Sequence, residues 1–151
     1  MKELIALALE QNRKKYPNFP EHARPKPKYT DKTANGLTKC VIDWINFNGY
    51  QAERINTTGR MIDNRTTYQN VLGQNVTIGS TTYIPGTGTK GSADISATIN
   101  GRSVKIEVKI GKDRQSPNQV AYQAMIEKAG GVYIIARDFE GFLQWYKSFI
   151  L

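Results

Sequence analysis

Asp94, Glu107 and Lys109 are the residues whose types and spacing could do chemistry together. They lie in residues 91–110, a stretch that alternates along its length. Ile95, Ala97 and Ile99, then Val104, Ile106, Val108 and Ile110, form the apolar set; Asp94, Ser96, Thr98, Ser103, Lys105, Glu107 and Lys109 form the polar one. A period of two is that of half-buried strands. Asn100-Gly101 between the runs predicts a two-residue type I′ turn, because both turn positions need positive φ. A tight turn pairs Ile99 with Arg102, and counting back from there sets Asp94 opposite Glu107 on the polar face, with Lys109 two residues further on. Like charges directly opposed on a sheet repel, by about 3 kcal/mol at roughly 5 Å and an effective dielectric of about 20. A raised carboxyl pKa, the lysine, or a divalent cation held between the oxygens would each relieve that repulsion. A solvated polar face with a salt-bridged lysine satisfies the same pattern.

Asp94 followed by Glu107-Val108-Lys109 resembles the D…(D/E)xK signature of the PD-(D/E)xK nuclease superfamily. The segment Asp113-Arg114-Gln115-Ser116-Pro117-Asn118-Gln119 with Tyr122 is similar to the region after that signature in the virus-type replication-repair nuclease (VRR-NUC) branch. The resemblance covers roughly residues 35–137. It implies a restriction-endonuclease-like α/β core with an inserted β-hairpin region, and metal-dependent hydrolysis of DNA phosphodiesters at junctions, flaps or nicks. Asp94 and Glu107 are then expected to bind Mg2+ or Mn2+, with the Val108 carbonyl as a third donor. Lys109 is expected as the catalytic lysine and Gln119 as the glutamine of the following helix. A catalytically inactive binding module of the same fold, or an RNA-directed nuclease, is the alternative.

Two departures accompany the likeness. Ala93 stands where the motif has proline. The glutamate that many relatives carry on the first helix is missing from Gly36-Leu37-Thr38-Lys39, and Asp43 and Glu53 are the nearest acids. Arg54, Thr57, Thr58 and Gly59 resemble an Arg…Ser-Gly stretch of archaeal junction-resolving relatives and become candidate phosphate contacts. Lys90, Lys112 and Arg114 join them as candidate nucleic-acid-binding residues.

The composition narrows the chemistry independently. The chain has 151 residues, 21 Lys+Arg against 13 Asp+Glu, and a net charge of +8. That excess favours a polyanionic partner such as nucleic acid; the resemblance implies double-stranded or branched DNA, with a homodimer allowed and no membrane expected. One cysteine and one histidine exclude a disulfide framework, a Cys/His zinc site and, in effect, histidine-based catalysis. A reducing, cytoplasmic setting fits.

The elements that must position the acids follow from the pattern. Residues 1–12 predict a short helix, and residues 12–32, with Pro17, Pro20, Pro25 and Pro27 among basic residues, an extended, poorly packed arm. Residues 1–34 therefore read as a helix and arm, and 35–151 as the nuclease-like domain. Leu37, Cys40, Val41, Trp44, Ile45 and Asn48 recur at helical spacing up to Gly49, which makes Cys40 a buried apolar residue. A strand is expected over 50–57 and one or more hairpins over 60–90. Gly86-x-Gly88-x-x-Gly91 leads into a strand and not a helix, so it is no dinucleotide fingerprint but a flexible lead into Asp94. Ser116-Pro117-Asn118-Gln119 starts a helix with a capping box, Val132 to Ala136 predicts a strand covered on both faces, and Asp138 caps a last amphipathic helix. The fold class is α/β, a mixed central sheet flanked by helices.

Overall fold

In the computed structural model, which describes residues Met1–Leu151, the Asn100-Gly101 turn forms as expected, with φ of 49° and 72°. It joins β6 (Ile95–Ile99) to β7 (Arg102–Val108), and Ile99 pairs with Arg102. β1 (Gln51–Arg54) adds to the outer edge of β6 antiparallel, and β8 (Val132–Ala136) to β7 parallel. The sheet order is β1-β6-β7-β8. The fold is mixed α/β, with α1 (Lys2–Lys15), α2 (Ala34–Phe47), α3 (Pro117–Lys128) and α4 (Phe139–Ile150) around this mixed sheet.

Opposite residues in a ladder share a face, so the register sorts the sheet. Ala52, Ile95, Ala97, Ile99, Val104, Ile106, Val108 and Ala136 are buried on one side against Leu4, Leu37, Cys40, Val41, Trp44, Ile45, Phe139, Phe142, Leu143 and Tyr146. Each large apolar side chain removed from water there contributes about 1.5–3 kcal/mol. Cys40 is buried, as its face requires, and its thiol meets the Thr30 carbonyl. The other face carries Glu53, Ser96, Lys105, Glu107 and Tyr133. Only α3 lies against this side, and none of its residues is buried. β8 is an edge strand, so Ile135 is 37% exposed. The expectation that both its faces are covered does not hold, because α3 is a thin, half-solvated cover.

Chain direction decides which end of the sheet gathers the loops. β7 and β8 run parallel, and α4 starts three residues beyond the end of β8, where the Phe139 N–H donates to Asp31. Glu3 in the first turn of α1 pairs with Lys147 near the end of α4. The start of α2, capped by Thr33, follows Asp31 and so lies at the end where β7 and β8 finish. At the opposite end Tyr50 donates to Asn100 in the hairpin turn.

The arm is not the extended tail its prolines suggest. Arg24, with a side chain only 4% exposed, donates to the Asn12 side chain and carbonyl, to the Tyr16 and Phe19 carbonyls, and to Glu21. One guanidinium thus folds residues 12–24, including a 3-10 turn at Glu21–Ala23, against the end of α1. Further on, Tyr29 donates to Asp43 and lies under Lys39. Proline-rich composition reports missing N–H donors. It does not report the carbonyls that an arginine can collect.

Residues Met1–Ile55 and Gly91–Leu151 form one compact unit and Asn56–Lys90 a second. The second is a β-ribbon in two steps, as the hairpin expectation has it. β2 (Arg60–Asp63) pairs with β5 (Thr81–Ile84), and β3 (Thr66–Gln69) pairs with β4 (Asn75–Ile78) inside them. Asn70 closes the tip through bonds from the Leu72 and Gln74 N–H groups. No helix is long and apolar enough to cross a membrane.

Candidate active site

The site forms where the β6–β7 ladder stops. The last paired residues are Ile95 and Ile106. Asp94 does not continue the ladder with its backbone: its carbonyl turns outward to accept the Ile55 N–H at 2.8 Å, and its side-chain Oδ2 accepts the Val108 N–H at 2.8 Å. Asp94 and Glu107 are not a ladder pair; the Asp94 carboxylate instead sits on the amide of the residue after Glu107, near enough for its charge to act on Glu107. The N–H and C=O of a strand residue point to the same side, so the Val108 carbonyl faces the edge on which Asp94 sits.

Glu107 is 2% exposed. Its Oε1 accepts from Lys109 Nζ at 3.1 Å and from Gln119 Nε2, while the Tyr133 hydroxyl stands 3.5 Å from Oε2, at the outer limit of a hydrogen bond. Burial, and then the charge of Asp94, raise its pKa above the ordinary carboxylate value, against the opposing pull of Lys109. Lys109 is 7% exposed. Burial disfavours its charge, but bonds to Glu107 and Asp113 outweigh that and hold its pKa above the usual lysine value. Burial, with Glu107 second, pushes the Tyr133 hydroxyl up to about 12.

Replacing a buried ion pair with well-packed apolar groups is often neutral or stabilising, so stability alone is a weak reason to keep one. Perturbed, coupled groups concentrate where chemistry is done. The polar-face-with-salt-bridge alternative predicts solvated partners; these are desolvated.

Gln119 is the capping-box residue and also touches Glu107. Its Oε1 accepts the Ser116 N–H and Ser116 accepts the Gln119 N–H, which completes the capping box, while its Nε2 reaches Glu107. Gly91 lets this happen. Its φ is +77°, and a Cβ there would lie 2.4 Å from the Asn118 carbonyl group. The glycine expected as a flexible lead is instead the packing point that lets the first turn of α3 approach the strand ends. Gln119→Ala therefore loses a cap, about 0.5–2 kcal/mol, together with the Glu107 contact. Gln119→Glu keeps the cap but sets a second carboxylate against Glu107. We expect thermal unfolding to show Gln119→Glu as the less stable of the two near neutral pH, with the difference shrinking in acid. A cap-only role predicts the reverse order.

The other expected site residues divide. Lys112 and Arg114 are exposed in the loop that carries Asp113, the second partner of Lys109, and so flank the carboxylates. Arg54 is exposed but pairs with Ile95, so it stands on the face opposite Glu107. Thr57, Thr58 and Lys90 belong to the ribbon unit. Asp43 is committed to Tyr29 and Lys39, which removes it from the site. Glu53 pairs with Ser96 and shares the carboxylates' face, one step along from Asp94. Sequence reading missed Tyr133, whose only signal was its place in an apolar run, and Arg137, which donates to the Asp113 carbonyl.

The donor set is all oxygen: two carboxylates and a strand-end carbonyl. Glu107 Oε1 and Asp94 Oδ2 each have protein donors, which leaves acceptor capacity on carboxylates that can take about four bonds each. No cluster of three His, Cys, Asp or Glu side chains exists. Oxygen donors of this kind are those that Mg2+ or Mn2+ takes, with waters completing the shell. Compared with known families and curated proteins, the chain matches no family model and no curated sequence.

Proposed function

We propose that this chain is a metal-dependent nuclease of the PD-(D/E)xK kind that hydrolyses DNA phosphodiesters. The observation that carries the reading is the buried Glu107–Lys109 pair at a strand end, with the Asp94 carboxylate on the intervening Val108 amide. A bound Mg2+ or Mn2+ would polarise the scissile phosphate and lower the pKa of a coordinated water.

The protein's own groups supply the rest. Asp94, Glu107 and the Val108 carbonyl would hold the ion. Gln119 and Tyr133 fix the Glu107 carboxylate from two sides. Lys109, kept protonated by Glu107 and Asp113, offers a fixed positive charge to the attacking water and to the charge that develops on phosphate, where preorganised charge does most. Lys112 and Arg114 add sequence-independent phosphate attraction. The net +8 of the chain supports a polyanionic substrate.

The test is a cleavage assay on linear, nicked, flapped and four-way branched DNA and on matched RNA, with Mg2+, with Mn2+ and with chelator. Metal-dependent cleavage of DNA supports the proposal. Absence of cleavage on every substrate refutes it, and cleavage confined to RNA transfers the site to the other polymer.

Metal binding should also be pH-dependent in a defined sense. Because the Glu107 pKa is raised in the fold, its proton favours the folded state. Its own contribution to metal-free stability is present at low pH and is lost as pH rises through the raised pKa. A cation needs the carboxylate bare, so the opposite holds for the increment in melting temperature from Mn2+. That increment should be largest near neutral pH and shrink as pH falls and protons compete for the carboxylate. A Mn2+ increment in the parent that is unchanged by acid contradicts Glu107 as a ligand.

A further inference from the structure

We infer that the folded arm carries a stacking platform for unpaired bases of a nucleic-acid strand. Tyr16 and Phe19 are 49% and 44% exposed, and with Asn12 and Pro25 they line a shallow cleft. A second cleft beside it is lined by Lys15, Tyr16, Pro17, Asn18, Phe19 and Pro20. Flat rings thus face open space on a segment that Arg24 makes rigid. Rigidity matters, because a stacking ring that must first be ordered loses much of its affinity to that cost.

Charge complementarity selects the occupant. Over residues 13–28 the cations are Arg13, Lys14, Lys15, Arg24, Lys26 and Lys28, and the only acid is Glu21. Glu21 is spent on Arg13 and Arg24. The Lys15 ammonium lies 5.4 Å from the Tyr16 ring centre and the Arg24 guanidinium 5.7 Å from that of Phe19. Aromatic faces among cations are what a single strand requires: stacking for the bases, positive charge for the backbone. Duplex DNA hides its base faces and could use only the cations.

Binding of a labelled oligothymidylate of about 15 nucleotides and of a blunt duplex of equal length, measured by anisotropy in chelator, tests it. The full chain is compared with a Tyr16→Ala/Phe19→Ala double variant and with Tyr16→Phe. The double variant should bind the single strand at least about tenfold more weakly, as loss of stacked rings does. Duplex affinity and the slope of log affinity on log salt should not change, because no cation is removed. Tyr16→Phe, which keeps the ring, should bind like the parent. Equal losses on both polymers, or none on the single strand, overturn the platform; in the latter case the rings belong to a protein partner. Metal-dependent cleavage by the parent, read on the same preparations, reports separately on the nuclease reading.

Discussion

Lys109→Met should abolish metal-dependent cleavage and at the same time enlarge the stabilisation that Mn2+ gives. The variant leaves Glu107 buried without its cation and still facing Asp94. Breaking a buried pair from one side costs about 3–5 kcal/mol, softened here because Glu107 can take up a proton. A divalent ion replaces the missing charge, so the melting temperature should recover more on adding Mn2+ than in the parent. Turnover should not recover with it. Loss of a preorganised charge at the developing phosphate charge costs about 100- to 1,000-fold, and methionine cannot hold a water. If metal restores both stability and cleavage, Lys109 is a structural counter-ion, and Lys112 or Lys105 must be tried in its place.

Glu107→Gln should separate catalysis from stability in the other direction. The substitution keeps the shape and an acceptor for Gln119, and it removes the repulsion from Asp94. Lys109 retains Asp113 at 3.3 Å. We expect a smaller loss of stability than for Lys109→Met, because the charge that remains keeps a partner. Cleavage should fall by more than the roughly 10- to 100-fold that loss of an outer-shell partner costs, and the Mn2+ increment in melting temperature should vanish. Normal cleavage with lowered stability would mean that the pair is only a buried ion pair.

Much of this arrangement was written in local pattern. Asn100-Gly101 set the hairpin register, and the alternation on either side assigned each residue to a face. The spacing of Leu37 to Ile45 and of Phe139 to Tyr146 marked the helix faces that bury. Those features depend on neighbours a few residues away. What was not legible depends on distant ones. Alternation puts Glu107 on the polar face but does not say that α3 closes over it, which takes Gly91 against Asn118. Arg24 organises five acceptor groups spread over Asn12 to Glu21, and no periodicity announces such a hub. Tyr133 read as one more residue of an apolar strand until β8 was set beside Lys105 and Glu107. The acid absent from the first helix left Asp43 and Glu53 as alternatives, and the register chooses between them by face.

Asp94 and Glu107 are proposed to hold one divalent ion jointly for DNA cleavage, and Asp94→Asn tests that most directly. Asparagine can still accept the Val108 N–H through its amide oxygen, so the strand end should keep its geometry. Single-turnover cleavage of the best DNA substrate in Mn2+, with the melting temperature of the same samples with and without the ion, is the measurement. The predicted result is a metal-free melting temperature equal to or above the parent's, since the repulsion on Glu107 is gone, with no Mn2+ increment and no detectable cleavage. Cleavage and a Mn2+ increment matching the parent's would contradict the account.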